Sequence, residues 1–155
     1  MNKKFIDKTL ELAINNVKEN KGGPFGCIII KNNKIIGKGV NKVTLLNDPT
    51  AHAEICAIRE ACKNINNFSL KDCVMYSSCE PCPMCLSAIY WSRIKNVYYC
   101  NTKHEAANIG FDDNFIYDEF NKLNKNKSIN IIQINSKLQN KPFLLWKKSK
   151  LKTKY

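Results

Sequence analysis

The sequence predicts a single α/β domain of three layers, with a mixed sheet of about five strands between two layers of helices. Two short β-branched runs, 26–30 and 34–40, flank an Asn-Asn turn and predict a hairpin. From residue 51 onward, segments with helical spacing alternate with short apolar strands, a pattern typical of parallel crossover connections. The length of 155 residues suits one substantial core, so we expect a single domain over residues 1–155.

The first half of the chain contains residues that typically mark the beginning and end of helices. Apolar residues recur at helical spacing over about 3–20 and predict an amphipathic helix that ends at Lys21-Gly22-Gly23-Pro24. After the hairpin, Asp48 as a capping residue and Pro49 in the first turn predict a second helix over about 50–66.

The second half continues the alternation. Residues 72–77 predict a buried strand, Pro81 begins a helix that runs to about Ser92, and 97–100 predict the next strand. Beyond Gly110 we expect a helix near 115–123, a fifth strand at 129–134 and a helical start to the tail at 142–146.

Charge and cysteine content narrow the class of protein. The formal charge is +12, but of 25 basic residues only Arg59 and Arg93 are arginine, the residue best suited to phosphates and guanine edges. We therefore interpret the lysines as a solvated surface and expect no nucleic-acid partner. No apolar run approaches the roughly 20 residues of a membrane span. Acidic residues interrupt any signal peptide, so we interpret the eight cysteines as reduced thiols of a cytoplasmic protein.

Two short motifs predict a zinc site. His52 and Glu54 lie one residue apart near a predicted helix start, where both can border a group off the helix end. Cys82 and Cys85 are three apart at the next helix start, where the helix dipole favours thiolates. One His and two Cys suit tetrahedral zinc with a fourth position open for water, whose pKa the metal lowers. Glu54 is then placed to take a proton from that water, and to protonate first a ring nitrogen and then the departing amine of an amidine-like substrate.

Other assignments of the cysteines stay open at this point. Cys79 also forms a Cys-x-x-Cys pair with Cys82, although it precedes Pro81 and the predicted helix. A structural zinc site would need a fourth protein ligand, which Cys79 or His104 could supply, but Glu54 would then have no task.

The chain resembles the cytidine deaminase-like superfamily of zinc-dependent deaminases, whose members share the His-x-Glu and Pro-Cys-x-x-Cys order. The motifs that carry the resemblance are Pro24-Phe25-Gly26, Asn41, Asn47-Asp48-Pro49-Thr50-Ala51-His52-Ala53-Glu54, Ser78-Cys79-Glu80-Pro81-Cys82-Pro83-Met84-Cys85 and Ala88-Ile89-Tyr90-Trp91. Within the superfamily, Ile109-Gly110-Phe111-Asp112-Asp113 and the terminal Lys154-Tyr155 look most like bacterial guanine deaminases.

The resemblance implies a cytidine deaminase-like fold and hydrolysis of a free purine base, guanine to xanthine and ammonia. It implies one Zn²⁺ per subunit on His52, Cys82 and Cys85, with Glu54 as the proton shuttle. It also implies a homodimer in which the C-terminal segment, about 137–155, is swapped to the partner subunit. The substrate contacts that it implies are Phe25, Asn41, Ala53, Trp91, Asp113 and Tyr155.

Two other functions remain as alternatives. A tRNA adenosine deaminase has the same metal motif, but it needs a site open to a polynucleotide, which a chain end folded over the pocket would exclude. A zinc-stabilised nucleic-acid-binding module without catalysis would leave Glu54 unexplained.

Overall fold

The chain forms two compact units, Met1–Phe115 and Ile116–Tyr155. The computed structural model describes residues 2–153. The first unit contains the sheet and is described first. In residues 2–153 no helix has both the length and the apolar character that crossing a bilayer requires.

A mixed sheet lies at the centre of the first unit. Its strands are β1 (Gly26–Lys31), β2 (Lys34–Val40), β3 (Val74–Cys79) and β4 (Asn96–Asn101), in the order β2-β1-β3-β4. The predicted hairpin is confirmed by the antiparallel pairing of β1 with β2. β1 is also antiparallel to β3, whereas β3 and β4 are parallel, as the crossover pattern predicted.

Helices cover both faces of this sheet, so the three-layer prediction is confirmed. Helix α1 (Lys3–Lys18) packs on one face, where its apolar side chains meet Ile28, Ile30 and Tyr76. Helices α3 (Ala53–Ile65) and α4 (Pro83–Ser92) share the opposite face with a core that includes Ile29 and Met75. The remaining helices of the first unit are two short ones that the sequence did not predict, α2 (Val43–Leu46) and α5 (Lys103–Ala107).

Two glycines allow α3 to approach the sheet closely. A Cβ at Gly37 would lie 2.5 Å from the Ala57 carbonyl oxygen, and one at Gly39 would overlap the Ala53 carbonyl oxygen. Because both neighbours are backbone atoms, a side chain there would push the helix away. Gly39 therefore helps to fix the start of α3, which carries His52.

The predicted cap of the second helix is wrong. Asp48 accepts hydrogen bonds from the Thr50 backbone N–H at 2.8 Å and the Thr50 hydroxyl at 2.7 Å, so its carboxylate forms a local turn before the helix. The helix begins at Ala53, and His52 is its N-cap residue.

The fifth strand, predicted at 129–134, is also wrong, since the described sheet has four strands. Residues 129–134 have neither helix nor strand, and the side chain of Ile134 is 84% exposed. An alternating apolar pattern becomes a strand only when a neighbour supplies ladder hydrogen bonds, and the described residues supply none here.

The second unit consists of short pieces. Helix α6 (Asn114–Asn121) enters it from the first unit, Asn124–Asn126 form a 3₁₀ turn, and α7 (Lys141–Lys148) confirms the helical tail. None of residues 116–153 is buried, although many are large and apolar.

Candidate active site

The starts of α3 and α4 bring the predicted zinc ligands together. His52 is the N-cap residue of α3 and Cys82 that of α4, both with extended backbone, and neither side chain caps its own helix. Pro83 takes the first helical position of α4, two residues later than predicted, and Cys85 lies in the first turn. Both N-cap side chains are therefore available to the space between the two helix ends.

The three side chains fit a tetrahedral zinc ion. The Nδ1 atom of His52 lies 3.5 Å from Cys82 Sγ and 3.6 Å from Cys85 Sγ. Tetrahedral zinc with the usual Zn–S and Zn–N bond lengths puts sulfur and nitrogen about 3.6 Å apart. All three ligand atoms lie within 4.8 Å of one another. The donor set and its spacing therefore match zinc.

The proposed fourth ligands lie elsewhere. Among the described residues, the cluster of metal-binding groups comprises only His52, Cys82 and Cys85. The thiol of Cys79 donates to the Thr102 carbonyl oxygen at 3.6 Å, and burial raises its pKa to about 11. His104 lies on α5, outside the cluster. Three protein ligands with a fourth position open are typical of catalytic zinc sites, not structural ones.

The metal-free ligands hold their protons unequally. Hydrogen bonds from the Cys85 thiol and from His52 lower the pKa of Cys82 to about 4, so Cys82 is a thiolate at neutral pH. The pKa of Cys85 is raised, first because its thiol donates to that thiolate and then because it is buried. The hydrogen bond with Cys82 also raises the pKa of His52. A cation therefore binds one ready thiolate and displaces a proton from Cys85.

The Glu54 carboxylate lies beside these ligands. It is in the first turn of α3, 5% exposed, and burial raises its pKa. Its Oε1 accepts a hydrogen bond from the Ser77 hydroxyl at 2.9 Å, and its Oε2 lies 3.4 Å from Cys85 Sγ. No sequence pattern singled out Ser77, because a serine inside a strand has no local sign of a tertiary partner.

The comparison with known families fits this geometry. The family described as the cytidine and deoxycytidylate deaminase zinc-binding region matches residues 1–101. The chain belongs to this zinc-binding deaminase family. The recognition of the superfamily from sequence is thereby confirmed.

Individual relatives of the deaminase refine the comparison. It is 46% identical to guanine deaminase from Bacillus subtilis over 97% of each chain. The X-ray structure of guanine deaminase from that organism superposes with a TM-score of 0.97, covering 100% of this chain and 99% of the other. The tRNA-specific adenosine deaminase of Buchnera aphidicola (subsp. Schizaphis graminum) is 44% identical over 72% of this chain and 75% of its own length.

The residues expected to contact substrate lie in several environments. The side-chain oxygen of Asn41 already accepts hydrogen bonds from the protein backbone. Asn41 is 6% exposed, and its Oδ1 accepts from the backbone N–H groups of Gly23 and Val43, both at 3.3 Å. Its amide nitrogen has no acceptor within residues 2–153, so only the amide N–H groups of Asn41 remain for a ligand of the deaminase.

Phe25 and Asp113 belong to neighbouring loops. The rings of Phe25 and Phe111 pack edge to face with centroids 4.9 Å apart, which ties the 109–113 loop to the first strand. The pKa of Asp113 is raised by partial burial and by the negative charge of Cys82, which places this carboxylate within electrostatic reach of the ligands.

The other residues expected to contact substrate are Ala53, Trp91 and Tyr155. Ala53 is fully buried at the first position of α3, so only its backbone N–H is suited to a polar contact. Trp91 is 67% exposed near the end of α4, which excludes a simple core role. Tyr155 lies outside the described residues.

Proposed function

We propose that this deaminase hydrolyses guanine to xanthine and ammonia. The observation that carries the reaction type is the buried Glu54 carboxylate beside a three-ligand zinc cluster. The choice of base is supported by the nearly full-length similarity to a guanine deaminase, whereas the similarity to the tRNA-specific enzyme covers 72% of the chain.

The zinc ligands and the Glu54 carboxylate have different roles in the proposed reaction. His52, Cys82 and Cys85 would hold zinc, which would supply a Lewis acid that lowers the pKa of the attacking water. Glu54 takes one proton from the attacking water as it adds to the ring carbon and delivers that proton to the ring nitrogen. Glu54 then transfers the remaining hydroxyl proton of the adduct to the amine, so that the C–N bond breaks, ammonia leaves and the C=O bond of the product forms. Burial raises the pKa of the Glu54 carboxyl, so this group holds a proton between the two transfers better than an exposed glutamate does.

Asn41 and Asp113 supply complementary recognition in this proposal. The amide N–H groups of Asn41 donate to the carbonyl or ring-nitrogen acceptors of guanine, and the Asp113 carboxylate accepts from its N–H groups. Phe25 and Trp91 give apolar surface for the purine, and the Ala53 backbone N–H adds a donor at the start of α3. Adenine lacks the carbonyl oxygen and so loses one of these contacts.

Loss of the proton shuttle tests the chemistry. Glu54→Gln removes the exchangeable proton but keeps the shape of the side chain, so we expect ammonia release from guanine to fall by about 10²–10⁴-fold. Zinc content should stay at one per chain, because Glu54 is not a ligand. A zinc-loaded, active Glu54→Gln protein would contradict the assignment.

A substrate panel tests the base. We expect purified protein to release ammonia from guanine and not from adenine, cytosine or a tRNA anticodon hairpin. Release from the hairpin without release from guanine would establish the tRNA adenosine deaminase instead. Salt-sensitive RNA binding with no deamination of any substrate would favour the non-catalytic nucleic-acid-binding module.

The C-terminal segment supports a homodimer. Within residues 137–153 the side chains of Phe143, Leu145 and Leu151 are 75%, 62% and 95% exposed, more apolar surface than a lone chain usually leaves in water. We propose that this segment, about 137–155, packs on the partner subunit and that Tyr155 reaches the partner's site.

Mixing two inactive chains tests the swap. One chain lacks Tyr155 and the other carries Glu54→Gln; neither should be active alone. In randomly mixed dimers, half are heterodimers with one complete site, so activity should recover to about a quarter of wild type. No recovery, with mixed dimers shown by mass, would place the chain end in its own subunit's site.

A cytoplasmic location is part of the proposal. All eight cysteines are free thiols, and Cys82 and Cys85 must stay reduced to bind zinc. Fractionation of cells that express a tagged chain should place the protein with cytoplasmic markers; recovery in an exported fraction would contradict this.

A further inference from the structure

The two oxygens of the Glu54 carboxylate have different partners. Oε1 accepts a hydrogen bond from the Ser77 hydroxyl at 2.9 Å. Oε2 lies 3.4 Å from Cys85 Sγ and so faces the zinc ligands. Oε1 thus accepts from the sheet, and Oε2 accepts from a residue of the metal-binding cluster.

Ser77 is placed on a rigid support. It is 1% exposed on β3, a strand flanked on both sides, and it pairs with Cys27 of β1. Side chains alternate across a strand, so Ser77 shares with Met75 the face that α3 covers. Glu54 therefore meets a donor whose position is set by the sheet and not by a loop.

Zinc binding changes only one of the two contacts. As a zinc ligand Cys85 would be a thiolate without a proton to donate, so the hydrogen bond from Cys85 to Oε2 would be lost. The Ser77 hydroxyl is untouched by that change and still donates to Oε1.

We infer that Ser77 is a positioning residue for the proton shuttle: it fixes Oε1, so that Oε2 is the oxygen that exchanges protons with water and substrate. This inference rests on the proposed role of Glu54. Without Ser77 the carboxylate can rotate, and proton transfer requires the correct oxygen within hydrogen-bond distance of the reacting atoms.

The neighbouring serine provides a matched control. Ser78 is 2% exposed on the same strand but faces the α1 side, where its hydroxyl accepts from the Gly26 backbone N–H at 3.0 Å. Ser77→Ala and Ser78→Ala each remove one buried hydroxyl with one partner. Ser77→Ala removes a hydrogen bond to the Glu54 carboxylate, whereas Ser78→Ala removes one to a backbone N–H group.

Kinetics separate positioning from packing. A hydrogen bond to a charged group corresponds to a factor of about 10 or more, so we expect Ser77→Ala to lower kcat by about 10–100-fold. KM should change by less than about 3-fold, and zinc content should not change, because Ser77 is outside the metal-binding cluster and bonds to Glu54. Ser77→Thr keeps the hydroxyl and should restore most of kcat, whereas Ser78→Ala should keep kcat within about 3-fold of wild type. If Ser77→Thr fails to fold, Ser77→Cys, a weaker donor, should lie between wild type and Ser77→Ala.

A spectroscopic readout is independent of turnover. In protein labelled with ¹³C at glutamate carboxyls, the Glu54 signal is identified by its loss in Glu54→Gln. It should move in zinc-loaded Ser77→Ala and stay in place in Ser78→Ala.

Three results would overturn the inference: an unmoved Glu54 signal in Ser77→Ala, equal kcat losses in Ser77→Ala and Ser78→Ala, or kcat for Ser77→Ala within about 2-fold of wild type. If Glu54→Gln itself stayed active, the proposed function would fail first, so the two failures are distinguishable.

Discussion

Zinc affinity should rise with pH, because zinc must displace a proton from Cys85. In the metal-free protein Cys82 is already a thiolate with a pKa of about 4, whereas the pKa of Cys85 is raised by its donation to that thiolate and by burial. Zinc needs both sulfurs as thiolates. Each zinc that binds at pH 7–8 should therefore release one proton from the cysteine pair.

The size of the effect follows from the proton count. One released proton changes the zinc Kd tenfold per pH unit, equivalent to about 1.4 kcal/mol. The pKa of His52 is raised, so below that pKa the imidazole must also lose a proton before it can bind zinc. The slope should then approach two decades per pH unit on the acid side.

Competition with a chelator of known affinity, from pH 6 to pH 8, measures this slope. Calorimetry in buffers of different ionisation enthalpy counts the protons directly. A zinc Kd that does not change between pH 7 and pH 8 would refute the reasoning, since it would mean that both thiols are already ionised. Cys79→Ala is the matched control and should keep the wild-type slope.

Three further changes test the framework around the site. Gly39→Ala should lower the free energy of unfolding by about 3 kcal/mol and reduce zinc content, because the new Cβ overlaps the Ala53 carbonyl oxygen and pushes α3 outward. Urea unfolding measures the stability and metal analysis measures the zinc content. Unchanged stability would contradict the close approach of α3 to the sheet. Cys79→Ala should keep one zinc per chain, because its thiol bonds to a carbonyl oxygen away from the cluster; metal analysis checks this, and lost zinc would make Cys79 a ligand. Phe111→Ala should raise the KM for guanine about 2–10-fold with a smaller change in kcat, because it removes the ring that packs on Phe25. Steady-state kinetics measure both constants. An unchanged KM would show that the Phe25–Phe111 pair does not contribute to substrate binding.

The ligand set was predictable because its signals are local. His52 with Glu54 and Cys82 with Cys85 lie within a few residues of helix-start signals, and the structure has helix starts at both places. The hairpin was predictable for the same reason, because its turn and both strands are contiguous.

Two of the features that the sequence did not predict depend on distant partners, and a third depends on a local hydrogen bond. The 129–134 segment has a strand-like composition but no neighbouring strand among the described residues. Asp48 is a good cap by type, yet its carboxylate bonds to Thr50 and the helix starts later. Ser77 acquires a role only because α3 places Glu54 over the middle of β3. For 129–134 and for Ser77, tertiary structure decides between options that are locally equivalent, whereas Asp48 chooses between two local hydrogen-bonding patterns.

The two helix starts at the zinc site have a consequence for folding. His52 and Cys82 occupy N-cap positions, where Ser, Thr, Asp or Asn would typically stabilise a helix by about 1 kcal/mol, and neither caps its helix. The first turns of α3 and α4 therefore lack this common source of local stability, and a cation that binds His52 and Cys82 would hold the two helix starts together. Zinc binding and folding around these two helix starts are then linked, so zinc should raise the free energy of unfolding of this part of the chain.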